Sequence, residues 1–201
     1  NMAEKLLNSY HQSSDLVIER VTKNPYLLME IDGYGWKKCD ALALKGGMHP
    51  YSPLRVSAYM TYYLETMAQN GYTYVYSNSQ LMESLLATFG EDIPDEPITE
   101  AIHLLEKKLW WSDDHEKVGL QKHIRTEERI AEKLLRLKNS ESKIQVNDWR
   151  KTIQDLEEQQ GWKYTDEQLN AIQSAIDENV ILITGYAGTG KSSVVSAILK
   201  A

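Results

Sequence analysis

Cysteine is almost absent from this chain: Cys39 stands alone among 201 residues. A lone thiol forms no internal disulfide, so a buried core has to hold the fold, and a reducing compartment suits it. No apolar run approaches the roughly 18 residues of a membrane span. The stretch from Asn1 shows no apolar segment of the secretory type. A cytoplasmic location without a membrane partner is therefore expected. The chain has no internal repeat and no low-complexity tract. Its five histidines (His11, His49, His103, His115 and His123) show no metal-ligand spacing with Cys39, which leaves them as scattered surface or structural residues. Positive charge is scarce in the middle: residues 51–120 hold four basic and eleven acidic side chains, while the flanking segments balance and the whole chain carries −7. That distribution excludes a wholly basic nucleic-acid binder, so any such contact has to be local. With 42% hydrophobic and 25% charged residues, the composition is that of one or two globular domains.

Against these absences, two glycine-containing segments stand out. The run ILITGYAGTGKS at 181–192 has the form G-x-x-x-x-G-K-S, with Gly185, Gly190, Lys191 and Ser192 in the fixed places. A β-branched stretch, Val180 to Thr184, precedes it and predicts a strand. Ser193 to Leu199 predicts a helix. In such a loop the glycines let backbone N–H groups at Ala187, Gly188 and Thr189 turn toward phosphate oxygens, and the helix start adds partial positive charge near Ser193. Lys191 can reach the β- and γ-phosphates of ATP, and Ser192 can hold Mg²⁺.

The second segment, NPYLLMEIDGYGWKKCDALA, runs from Asn24 to Ala43. It predicts a short helix, an apolar-x-Gly-aromatic-Gly turn at Gly33, Tyr34 and Gly35, and a second helix with small residues at Cys39, Ala41 and Ala43. Glycines in such a hairpin can present backbone N–H groups to a DNA phosphate. Lys37 and Lys38 can reach the same strand, giving contacts that ignore sequence and weaken with salt. Packing of two helices across a glycine turn is the alternative.

The rest predicts helices over 3–22, 54–69, from Ser77 or Asn78 to Phe89, 98–109, 122–138, 148–160 and 165–178. A short strand is expected at 72–76 and a hairpin of 109–111 with 118–120. Strand, helix, helix, hairpin is the order of a winged-helix unit. Trp110 and Trp111 could stack on a base, although core packing is the commoner fate of such residues and of the Tyr59–Tyr63 stretch. Residues 139–147 read as a linker.

With these landmarks placed, the chain resembles the stand-alone RecD-like DNA helicases of superfamily 1. NPYLLMEIDGYGWKKCDALAL looks like that family's helix-hairpin-helix segment. YTDEQLNAI looks like its adenine-recognising glutamine motif, and ILITGYAGTGKSS like its first ATPase motif. Tyr34 departs from the pattern, since a small aliphatic residue is usual there. The resemblance implies an ATP-driven enzyme that moves 5′→3′ on single-stranded DNA and opens duplexes at junctions. It also implies that Gln168 meets the adenine edge, with Tyr164 or Trp162 beside the base, and that Lys191 stabilises the transferring phosphoryl group. The implied architecture is mainly α. A helix-hairpin-helix region at 1–50 and a winged-helix-like region at 51–140 lead into the first strand-loop-helix of an α/β P-loop (RecA-like) domain at 141–201.

A motor of this kind also needs a Mg²⁺-binding acid on a later strand and a group that positions water. The chain is therefore expected to be part of a longer protein, to lack ATP turnover by itself, and to self-associate through an unpaired strand at 180–184. Asn1 ahead of Met2 is read as an added residue. Two other readings fit the same motifs: the helicase part of a conjugative relaxase, and a non-catalytic DNA- or protein-binding module with a vestigial phosphate loop.

Overall fold

A computed structural model describes residues 14–141 and 148–201. Residues 3–13 of the expected N-terminal helix and most of the expected linker lie outside the described residues. The chain divides into two compact units, Asn1–Glu127 and Glu128–Ala201.

In the first unit α1 (Ser14–Lys23) leads into a 3-10 helix (Pro25–Glu30), then α2 (Trp36–Lys45) and α3 (Pro53–Gln69). Asn24 starts the 3-10 helix, its side chain accepting from the Tyr26 N–H at 3.1 Å. Pro25 sits at the first helical position, where a missing N–H costs nothing. β1 (Tyr74–Tyr76) follows, then one π turn (Ser77–Leu81), α4 (Met82–Phe89) and α5 (Asp95–Leu104). β2 (Leu109–Trp111), β3 (Lys117–Leu120) and the start of α6 (Gln121–Lys138) complete the unit. Helix α5 begins three residues earlier than expected and stops at Leu104. Residues 105–108 turn instead, with Leu105 and Lys108 closing onto nearby carbonyls.

Helix α3 is the spine of this unit. Val56, Met60 and Leu64 recur at four-residue spacing and are all buried. They join Tyr26, Leu28 and Trp36 from the hairpin segment, Leu85 and Phe89 from α4, and Ala101 from α5 in one continuous core. The three strands form an antiparallel sheet in the order β1-β3-β2. Strand alternation turns Val75, Val118 and Leu109 into the core. Trp111 packs against that core. Trp110 pairs across the sheet with Gly119 and lies 6.4 Å from the Tyr74 ring. The expected order of strand, two helices and hairpin is thus present as an assembled unit.

The second unit contains α7 (Trp149–Gln160), α8 (Asp166–Asp177) and α9 (Lys191–Lys200). Asp148 accepts from the Lys151 N–H to start α7, and Thr165 with Gln168 forms a reciprocal capping box at the start of α8. Ile153, Tyr164, Ile172, Val194 and Ala197 make its core. The expected strand over 180–184 is not formed. Residues 181–186 have no regular secondary structure and no ladder partner among the described residues. Apolar β-branched residues favour extended backbone, but a strand exists only when a neighbour accepts its hydrogen bonds.

Candidate nucleic-acid and nucleotide sites

The hairpin turn is built from Ile31 to Gly35. The Tyr34 N–H closes onto the Ile31 carbonyl at 3.0 Å. Gly33 has φ +89, a conformation an L side chain adopts only under strain. Gly35 is the N-cap of α2 and carries no side chain to satisfy the first N–H groups of that helix. A Cβ added at either glycine would meet nothing within 4 Å, so both open outward. Tyr34 is half-buried and packs against the core. The turn therefore presents glycine backbone, with the unusual aromatic folded inward.

The two lysines after the turn differ. Lys37 is exposed and extends from the start of α2. Lys38 reaches back to donate to the Gly33 carbonyl at 2.8 Å, with its ammonium 5.7 Å from the Tyr34 ring centre. Lys38 thus braces the turn before it can meet any ligand.

Behind the hairpin lies a polar anchor that the sequence did not reveal. Asp40 of α2 receives Arg55 Nε at 2.8 Å, Arg55 Nη2 at 2.9 Å and the Tyr26 hydroxyl at 2.7 Å. Arg55 also donates to the Pro50 carbonyl at 2.7 Å and covers the Phe89 ring. Burial pushes the Asp40 carboxyl up, but the hydrogen bonds from Arg55 and Tyr26 outweigh it and hold it below the usual carboxylate range. Burial, reinforced by Asp40, raises the Tyr26 phenol well above its ordinary value. The bidentate pair fixes α2, and with it the hairpin, against α3.

The glycine-containing loop expected to hold phosphate occupies 185–190, ahead of α9. Gly185, Gly188 and Gly190 have φ of +157, +81 and +81. A Cβ on Gly185 would stand 2.7 Å from Thr189 Oγ1; one on Gly190 would stand 2.5 Å from Gln168 Nε2, the movable end of that side chain, so at Gly190 it is the positive φ that favours glycine. Lys191 Nζ donates to the Gly185 carbonyl at 2.8 Å and to the Tyr186 carbonyl at 2.5 Å. Thr189 Oγ1 closes the turn onto the same Tyr186 carbonyl at 2.9 Å. Ser192 and Ser193 lie in the first turn of α9 beside this loop.

Gln168 is brought against the loop by α8. Its Oε1 accepts from the Thr165 N–H at 3.0 Å, and its Nε2 donates to the Thr189 carbonyl at 3.2 Å. An amide offers two donors and two acceptor lone pairs, so one of each remains for a further partner. The adjoining pocket holds about 310 Å³ and is lined by Thr165, Gln168, Thr184, Gly185 and Lys191. Of the two residues expected beside a bound base, Tyr164 is buried in the unit's core, while Trp162 is exposed and 4.9 Å from the Tyr164 ring.

Comparison with known proteins agrees with the hairpin. Residues 1–74 match the family described as the ATP-dependent RecD2 DNA helicase HHH domain. An uncharacterized protein of Methanocaldococcus jannaschii is 23% identical over 98% of this chain, which spans about 20% of that relative's length. The N-terminal region is therefore similar to the helix-hairpin-helix module of a DNA helicase. No helix among the described residues is long and apolar enough to cross a membrane.

Proposed function

We propose that this chain is the DNA-engaging front end and first ATPase motif of a RecD-like, ATP-dependent helicase of superfamily 1 that tracks 5′→3′. The observation that carries this reading is the hairpin. Gly33 and Gly35 turn open backbone outward, Lys37 stands free of the brace that holds Lys38, and the family match covers this same segment. The first N–H groups of α2 meet a DNA phosphate, and Lys37 adds a charge-assisted contact. Because these groups touch backbone only, binding is independent of base sequence and falls with salt. Single strands and single/double-strand junctions are the expected ligands.

In the second unit, the residue set suits ATP and Mg²⁺. Positive-φ glycines, a lysine within reach of the loop and a serine at the helix start are the groups a phosphate chain requires. The pocket of about 310 Å³ lies within the range of small-ligand sites. Ser192 holds the metal, which neutralises phosphate charge when bound. Lys191 now donates to two loop carbonyls and exchanges them for phosphate oxygens. The backbone N–H groups of Ala187, Gly188, Thr189 and Gly190 cradle the same group, with Ser193 next to them. Gln168 keeps one donor and one acceptor for the adenine edge while still gripping Thr189.

Fluorescence anisotropy with labelled single-stranded and junction DNA tests the first half of the proposal. Binding should weaken steeply from about 50 to about 200 mM salt and show no base preference. A fluorescent ATP analogue tests the second: binding should require Mg²⁺ and disappear in Lys191→Ala, while the isolated chain should not turn ATP over. A chain that ignores DNA at low salt would remove the helicase reading. Nucleotide binding that survives Lys191→Ala would remove the loop assignment.

A further inference from the structure

Positive charge in the middle of the chain is not merely scarce; it is gathered. Of the four basic residues in 51–120, Arg55 is committed to Asp40 inside the fold and Lys117 lies over the Tyr74 and Tyr76 rings. The remaining two, Lys107 and Lys108, are exposed on the turn between α5 and β2. They line a pocket of about 300 Å³ together with Lys122 and Arg125 from the first turns of α6. Four cations from two separate elements thus converge in a unit that is otherwise strongly acidic.

The frame of this pocket is ordered. The Gln121 N–H donates to the Lys108 carbonyl at 2.8 Å, tying the start of α6 to the turn. In the amide orientation that satisfies both neighbours, Gln121 donates to the Lys107 carbonyl and accepts from Arg125 Nη2, each at 3.1 Å. One carboxylate, Glu65 of α3, lines the pocket. It pairs with Lys122 and with His123 Nε2, the latter at 2.9 Å. Burial pushes the Glu65 carboxyl up, but the hydrogen bonds from Lys122 and His123 outweigh it and hold it ionised. Four positive groups against one negative group leave a local excess of three. Thr61, Glu65, Lys108 and Lys122 also line a larger neighbouring groove of about 520 Å³, together with Tyr26, Leu27 and Glu30 of the hairpin's own 3-10 helix.

We propose that the pocket formed by Lys107, Lys108, Lys122 and Arg125 is a second phosphate site, which holds a nucleic-acid backbone phosphate beyond the one met by the hairpin. This rests on the reading that the first unit binds DNA. It adds a place where the same strand is gripped after it leaves the hairpin. Arg125 supplies a planar fork and the lysines supply mobile point charges, a combination suited to phosphate oxygens. A contact made to phosphate oxygens alone is again sequence-neutral.

The test uses the whole 201-residue chain and a salt series of anisotropy titrations with labelled single-stranded DNA. Each single-strand phosphate neutralised contributes about 0.7 to the slope of log K against log salt. Lys107→Gln with Lys108→Gln should flatten that slope by about 0.7 and weaken binding about 5-fold near 0.1 M salt. Glu65→Gln should act in the opposite direction, releasing Lys122 and strengthening binding by about 3-fold. Circular dichroism melts confirm that each variant is folded. Inorganic phosphate, titrated separately, distinguishes a backbone site from a free-anion site. A flattened slope with no saturable binding of inorganic phosphate supports the proposal. An unchanged slope overturns it, whether or not inorganic phosphate binding is lost. If the unsubstituted chain does not bind DNA at all, the functional reading itself fails, an outcome distinct from an unchanged slope.

Discussion

Removing the Asp40 carboxylate asks what holds the hairpin in place. Arg55 donates twice to Asp40, at 2.8 and 2.9 Å, and once to the Pro50 carbonyl at 2.7 Å. The two side chains are only 11% and 14% exposed, so water screens the pair little. Asp40→Ala leaves the guanidinium buried with neutral acceptors only, and breaking a buried pair from one side costs about 3–5 kcal/mol. At roughly 3–5 °C per kcal/mol for a unit of this size, its Tm should fall by about 10–25 °C. Asp40→Asn keeps an acceptor but no charge, and should cost about 2 kcal/mol. The double variant Asp40→Leu with Arg55→Met removes both charges and should recover most of the loss, because desolvation offsets much of a buried pair's attraction. The Tyr26 hydroxyl then lacks its partner, which limits the recovery by about 1 kcal/mol. Hydrogen exchange with mass spectrometry across a urea series is the suitable assay, since the two units need not unfold together. An Asp40→Ala chain within about 0.5 kcal/mol of its parent would refute the anchor. So would a double variant no better than the single one.

Three further outcomes follow from the same geometry. Gly33→Ala meets no side chain or backbone, so its cost is conformational only, about 1–2 kcal/mol; a thermal melt unchanged from the parent's would show that the turn tolerates a Cβ at φ +89. Gln168→Ala removes one half of the capping box and the bond to Thr189. It should destabilise the second unit by about 1 kcal/mol and speed amide exchange at 185–190, and unaltered exchange there would contradict the coupling. Asp40 and Glu65 are both held below their ordinary range. Their stabilisation is therefore complete above the unfolded-state values near about 4 and is lost as pH falls through the lower folded-state values. Acid titration of the first unit by circular dichroism should show this loss, and Asp40→Asn should flatten it.

The hairpin was legible in the sequence because proline, glycine and helix periodicity act locally. Asn24-Pro25 and Gly33 each place an element boundary that is seen in the fold, and of the small residues Cys39, Ala41 and Ala43 the first and last are buried while Ala41 is exposed. In the loop at 185–190 the positive φ of Gly188 and Gly190 explains why glycine stands there, whereas its phosphate-binding role is a proposal. The expected strand before it is not formed, because an apolar β-branched run specifies extended backbone without specifying a partner. The Asp40–Arg55 pair was missed since nothing in spacing tells a buried arginine from a surface one. The brace from Lys38 to Gly33 was missed too; only the turn geometry separates it from Lys37. The resemblance sets Tyr164 or Trp162 beside the base, yet Tyr164 fills the core of the second unit.

The most direct test of the central claim is a backbone footprint of the chain on single-stranded DNA, read as amide exchange with and without ligand. Protection concentrated from Gly33 to Lys38, weakened by Lys37→Ala and erased by high salt, is the result this account predicts. Saturating DNA binding that leaves those amides as fast as in the free chain would contradict it.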